Sequence, residues 1–182
     1  MALILYVKYL IYRVVMYFTS GKRTFRPSYP RQCSIAVLAS LDHKGKIPVI
    51  LASLQPLCRD GYHIKLYGYS FRSEDAGLES GDAVIHIFDH KELSCFGRGR
   101  TLALKAFQTQ TFDYLFHVDF CSNPLLDLLL IKNKALCRVG AFDRKRMHLL
   151  DVLVKIERKN GVDDIKRLTD QMVYYVNRAT IQ

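Results

Sequence analysis

The run Tyr114-Leu115-Phe116-His117-Val118-Asp119-Phe120, closed by Cys121-Ser122-Asn123-Pro124, decides the fold class of this chain. Its aromatic and β-branched content suits a strand, and the run is too short for a buried helix. Asn123 and Pro124 then give a helix start: a side-chain oxygen that caps free amides, and a ring whose missing N–H costs nothing at the first position. A helix is predicted over Leu125–Ile131, followed by a short strand, Ala135–Val139, ending at Gly140. Strand, helix and strand in that order make a crossover, which joins parallel neighbours and lays its helix on a sheet face.

The alternation continues outward in both directions. Ser34–Leu41 (SIAVLASL) reads as a first buried strand, and Pro48 opens a helix toward Leu57 with Gly61 as its stop. Pro56 is expected to end or kink that helix near Gln55. His63–Tyr69 and Ala83–Phe88 are further strands, and Thr101–Thr109 is a helix leading into the central run. His148–Ile156 contains a sixth strand, and Val162–Asn177 closes the chain as a helix with Ile165, Leu168, Met172 and Val176 on one face. The predicted fold class is α/β: a three-layer, mostly parallel, Rossmann-like sheet. Residues 33–182 are expected to form the single domain, with residues 1–32 a basic, apolar N-terminal extension and linker.

Composition agrees with a packed domain, since 49% of the 182 residues are hydrophobic and 24% charged. Disordered, collagen-like and low-complexity chains are far poorer in core-forming residues. Charge is unevenly spread. The net value is +10, and Lys8, Arg13, Lys22, Arg23, Arg26 and Arg31 supply six cations over residues 1–31 with no acid among them. Ala2–Phe18 is apolar or aromatic apart from Lys8 and Arg13. Charges inside the run argue against a secretory signal, and they leave the segment marginal for a ~30 Å hydrocarbon core. As a helix it places Leu3, Val7, Leu10, Val14 and Tyr17 on one face, which suits a membrane-interfacial or partner-docking element. Packing on the domain core is the plain alternative, and a strand is a further one. The linker that follows carries Lys22, Arg23, Arg26 and Arg31 among prolines and a glycine, a composition able to neutralise phosphates.

A second cluster holds Lys132, Lys134, Arg138, Arg144, Lys145 and Arg146 against Asp143 alone. Gly97-Arg98-Gly99-Arg100 is the nearest approach to a phosphate loop, with Arg98 and Arg100 placed before a helix. A flexible, solvated connection is the simpler account of it. The five cysteines, at 33, 58, 95, 121 and 137, have no zinc-ligand spacing, and four adjoin apolar runs, where a reduced thiol acts as a small hydrophobe. Reduced thiols imply a cytoplasmic location, peripheral to the inner membrane if residues 2–18 touch lipid. Neither a metal nor a cofactor is expected.

Ligands of open parallel sheets bind outside the carboxyl ends of the strands. That rule nominates Asp42, His43 and Lys44 after the first strand, Ser70 and Arg72 after the second, Asp89 and His90 after the third, and Asp119, Ser122 and Asn123 after the fourth. Alternation places His117 and Asp119 on one face, so Asp42, His43, Asp119 and Asn123 form a candidate rim for acid–base chemistry. Polar residues at strand ends are also ordinary, and Asn123 is already accounted for as a cap.

Phe112-Asp113-Tyr114-Leu115-Phe116-His117-Val118-Asp119, Asn123-Pro124-Leu125-Leu126 and Lys134-Ala135-Leu136-Cys137-Arg138-Val139-Gly140 resemble a small family of uncharacterised Bacteroidetes proteins, with Met172-Val173-Tyr174-Tyr175-Val176 similar to its closing helix. The resemblance implies a small Rossmann-like protein and carries no activity. The strand–helix–strand stretch is also similar to the N-terminal half of heptosyltransferase-like glycosyltransferases, whose second nucleotide-sugar domain has no counterpart in this sequence. The functional expectation is a non-enzymatic accessory or binding protein engaging an anionic partner. The partner classes are RNA or the ribosome, an anionic membrane surface, and a protein. The rival expectation is a small nucleotide-binding or transferase-like enzyme using the rim.

Overall fold

In the computed structural model, β1 (Ser34–Ser40) is the centre of a six-stranded sheet. The structure describes residues 7, 33–41, 45–70, 83–94, 98–121, 123–157 and 161–180. β1 takes the centre because it is apolar on both faces: Ile35, Val37 and Ala39 point one way, Ala36 and Leu38 the other, and all are fully buried. β2 (His63–Tyr69) and β3 (Ala83–Phe88) extend the sheet on one side. β4 (Tyr114–His117), β5 (Cys137–Ala141) and β6 (Val152–Val154) extend it on the other. Every pairing is parallel, in the order β3-β2-β1-β4-β5-β6.

Helices cover both faces. α1 (Lys46–Arg59) and α4 (Val162–Thr180) pack Ile50, Leu54, Leu57, Ile165, Leu168, Met172 and Val176 onto one layer of strand side chains. α2 (Leu102–Thr109) and α3 (Pro124–Lys132) bring Leu104, Phe107, Leu126, Leu129 and Leu130 to the other. Each such buried side chain contributes roughly 1.5–3 kcal/mol of transfer free energy, so the layers hold the strand ends rigidly. The expected three-layer parallel fold is what the structure adopts, and α4 buries the face read from its periodicity.

Several boundaries move. α1 continues through Pro56 to Arg59 instead of ending near Gln55. Pro56 and Ala52, whose carbonyl the missing N–H would have bonded, both lie on the exposed side, while Leu57 is fully buried and anchors the last turn. Gly61 then ends the helix with φ +87°, as Gly61 N donates to Cys58 O and Tyr62 N to Leu57 O. β5 runs two residues later than expected and contains Gly140 within it, where a Cβ would meet Leu150 Cδ1 at 2.7 Å. β4 ends at His117 and β6 covers Val152–Val154 alone. Apart from Val7, helical and exposed, the N-terminal extension and linker lie outside the described residues. No helix among the described residues is long and apolar enough to cross a membrane.

Candidate site at the sheet switch point

The chain leaves β1 toward β2 and β3 and later returns through β4 on the opposite side, so the strand order reverses between β1 and β4. A crevice for ligands opens at the carboxyl ends of two such strands. Ser40, the last residue of β1, and Asp119, two residues beyond β4, meet there. Ser40 donates its amide to Asp119 Oδ2 (2.7 Å) and its hydroxyl to Asp119 Oδ1 (2.6 Å). Lys46, the first residue of α1, donates from Nζ to Asp119 Oδ1 (2.7 Å) and to Ser40 Oγ (3.2 Å). Both charged side chains are nearly excluded from solvent, at 3% and 4% exposure. Burial pushes the Asp119 carboxyl above its ordinary range, and the Lys46 charge and the Ser40 donors oppose that push.

A second ionic group lies behind the first, between β4, α3 and the segment after β5. Arg146 is fully buried. Its guanidinium donates to the carbonyls of Asp119 (3.2 Å), Phe120 (3.1 Å) and Cys121 (3.4 Å), and to Asp143 Oδ2 (3.1 Å). Arg146 Nη1 also lies 3.3 Å from His117 Nδ1 and 3.9 Å from Asp127 Oδ1. A guanidinium only donates, so Nδ1 of His117 accepts and the neutral ring carries its proton on Nε2. That nitrogen faces Asp127 Oδ1 at 4.0 Å, beyond hydrogen-bond length. Burial, followed by the charges of Arg146 and Lys46, lowers the pKa of His117 to about 3, so the ring is neutral at physiological pH.

The structure therefore separates residues that alternation had grouped. His117 turns toward Arg146 and α3, whereas Asp119 turns toward Ser40 and α1. The strand ends at His117, so its two-residue period does not carry to Asp119. Asn123 caps α3, accepting from Leu125 N at 3.0 Å. Asp89 caps a short turn, accepting from the amides of Lys91 and Glu92, beside the exposed His90. Ser70 is buried, with its amide donating to Phe88 O. Asp42, His43, Lys44, Arg72 and Ser122 lie outside the described residues, as do Lys22, Arg23, Arg26 and Arg31.

The basic residues also sort into two kinds. Arg146, grouped with surface cations by sequence, is internal, because three backbone carbonyls beyond β4 need a donor that apolar packing does not supply. Arg138 is likewise buried, and its guanidinium caps α3 through Asn133 O (2.7 Å) and Ile131 O (3.4 Å). Arg144 and Lys145 remain exposed. Arg98 and Arg100 are exposed too, and the amides of their loop that lie among the described residues are engaged within the protein. The amides of Arg98, Gly99 and Arg100 donate to Ser94 Oγ, Gln108 Oε1 and Glu92 O.

Lys46, Ser40 and Asp127 escaped the sequence reading although two signals were present. A lysine at the first position of α1 opposes the helix dipole, which implies that its charge is used elsewhere. Asp127 is the lone acid in the buried run Pro124-Leu125-Leu126-Asp127-Leu128-Leu129, which calls for a buried donor. Cys33, Cys58, Cys121 and Cys137 are free thiols; Cys137 is buried, but Cys121 is exposed rather than packed. No group of metal-ligating side chains occurs among the described residues.

Geometry of this kind stabilises strand ends and names no reaction. No match is found among curated proteins or among solved structures, and the glycosyltransferase likeness gains no support. The model of a family of unknown function (DUF6913) matches residues 21–177, most of the chain, and the protein belongs to that family.

Proposed function

We propose that the protein is a non-enzymatic binding protein that engages an anionic, phosphate-bearing partner through its basic N-terminal segment, with the α/β domain as a rigid support. The segregation of charge carries the reading: six cations and no acid over residues 1–31. The rim supports it from the other side. Asp89, Asp119 and Asn123, which acid–base chemistry would draw on, are engaged by backbone amides or by Lys46 and Ser40. The rival, a small nucleotide-binding or transferase-like enzyme, draws on the strand order, which puts a crevice beside Ser40 and Asp119.

The test is the salt dependence of binding to RNA homopolymer and to anionic vesicles. Each phosphate contact steepens the log–log slope on nucleic acid by roughly 0.7–0.9. Replacing Lys22, Arg23, Arg26 and Arg31 by Gln flattens the slope if the segment makes those contacts. Binding that ignores both salt and these substitutions overturns the reading. Saturable nucleotide binding that Asp119→Asn removes from a folded protein favours the rival.

A further inference from the structure

We propose that the loop Phe142–Met147, at the carboxyl end of β5, is a second contact surface whose partner is an anionic lipid surface; this rests on the anionic-partner reading and names the class of partner. The loop is held rigidly. Phe142 N donates to Val154 O (2.8 Å), and Asp143 accepts the Lys145 amide on Oδ1 (2.9 Å) and the Arg146 amide on its carbonyl (3.0 Å). Leu149 N closes the turn on Arg146 O (2.8 Å), and the buried Arg146 guanidinium fastens the loop to the carbonyls beyond β4.

Over that anchor, four side chains face solvent: Phe142 (41% exposed), Arg144, Lys145 and Met147 (51%). The one acid of the loop, Asp143, is bonded by Arg146 and also feels the Lys145 charge, but three cations against this single acid leave the loop net positive. Two cations flanked by two large apolar side chains match a headgroup layer over an acyl boundary: the charges meet phosphates while the phenyl ring and thioether enter the apolar zone. Nucleic acid fits less well. Phe142 is the loop's one aromatic ring for stacking, and a nucleic acid would leave the exposed Met147 thioether in water, whereas an acyl boundary buries it. Because the loop is preformed, contact costs little ordering of the chain.

The experiment is flotation of the full chain with vesicles of equal parts phosphatidylcholine and phosphatidylglycerol, and with phosphatidylcholine alone, alongside RNA homopolymer binding. Arg144→Gln with Lys145→Gln is expected to lower partition onto the anionic vesicles roughly thirtyfold, from about fivefold per cation. Phe142→Ser with Met147→Ser is expected to lower it by about tenfold or more. The charge pair leaves thermal unfolding unchanged because Arg144 and Lys145 are exposed, the apolar pair lowers it only partly because Phe142 is half-buried, and neither alters RNA binding. Vesicle partition unchanged by both pairs overturns the loop proposal, and so does equal loss of RNA binding, which assigns the loop to nucleic acid. If the Lys22, Arg23, Arg26 and Arg31 substitutions alone abolish vesicle binding, the anionic-partner reading stands and the loop proposal fails. If the loop pairs alone abolish it, the N-terminal reading fails.

Discussion

Lys46 Nζ lies 2.7 Å from Asp119 Oδ1 with both side chains buried, so the start of α1 is tied to the end of β4 by an ion pair across the switch point. The pair is reinforced by Ser40, which donates twice to the same carboxylate. It lies at the carboxyl ends of β1 and β4, where parallel sheets of this order bind ligands.

Lys46→Met leaves Asp119 buried without its countercharge, and loss of one partner of a buried pair costs about 3–5 kcal/mol in urea unfolding. The pH dependence has a definite sign. A native pKa raised above the unfolded value makes the native state the better proton binder, so this group's contribution is full below the unfolded pKa and fades as pH rises through the native one. Without Lys46 the native pKa climbs further, and the deficit of the variant narrows as pH falls through that raised native value. Adding Asp119→Asn restores most of the loss. A deficit that widens on acidification contradicts the pairing.

His117 titrates in the opposite sense. Its native pKa of about 3 lies below the unfolded value, so the unfolded chain binds a proton that the native state refuses. Stability is therefore full above about pH 6.5 and falls as pH drops toward about 3, with a slope approaching ~1.4 kcal/mol per pH unit. His117→Gln removes this titration and keeps an oxygen that can accept from Arg146. Its stability profile is expected to be flatter across that window, as measured by denaturant unfolding. Parallel profiles for the two proteins would show that His117 is not held neutral.

How far the sequence discloses this architecture depends on which residues are asked. β1, β2 and β3 are legible because their apolar runs are bounded by turns, and α4 because its stripe repeats at the helical period. β5 is displaced because glycine is ordinarily read as a terminator, whereas Gly140 serves the packing of Leu150 against the strand. The ionic groups are less legible. Their members are distant in the chain, as Ser40 and Lys46 are from Asp119, and local pattern carries no information on which cation meets which acid. Arg146 shows the difficulty most clearly. Among Arg144, Lys145 and Arg146, sequence gives no reason for the third to turn inward, and the carbonyls of Asp119, Phe120 and Cys121 that accept from it supply one.

Gly140 and Leu150 form a second testable pair. A Cβ on residue 140 would lie 2.7 Å from Leu150 Cδ1, 2.9 Å from Cδ2 and 3.4 Å from His117 Cβ. Gly140→Ala is therefore overpacked and expected to cost about 1–3 kcal/mol. Leu150→Ala alone leaves a cavity, at about 2–5 kcal/mol. The combined variant should cost less than the two losses added, since the new methyl enters space that Leu150 vacates. Additive losses in chemical denaturation would show that the methyl is accommodated elsewhere.

Arg146 gives the most far-reaching prediction, because one side chain serves the loop after β5, the chain beyond β4 and the acid of α3 together. Arg146→Met leaves the carbonyls of Asp119, Phe120 and Cys121 without this donor and takes a countercharge from Asp127 and Asp143. The expected cost is about 3–5 kcal/mol, as for breaking other buried ionic groups. Arg146→Lys keeps the charge but replaces a planar fork of five donors by one compact ammonium, which cannot reach all three carbonyls and Asp143 at once, so it recovers little of the loss. Adding Asp127→Asn to Arg146→Met removes a buried carboxylate that has lost the Arg146 countercharge and should return more than about 1 kcal/mol, a coupling that a purely volumetric role of Arg146 would not produce. Native-state hydrogen exchange locates the effect: protection falls at the amides of Arg146 and Leu149, which close the loop, before it falls in β1 and β2. Uniform loss of protection across the sheet, with no coupling to Asp127, would assign Arg146 to general packing instead.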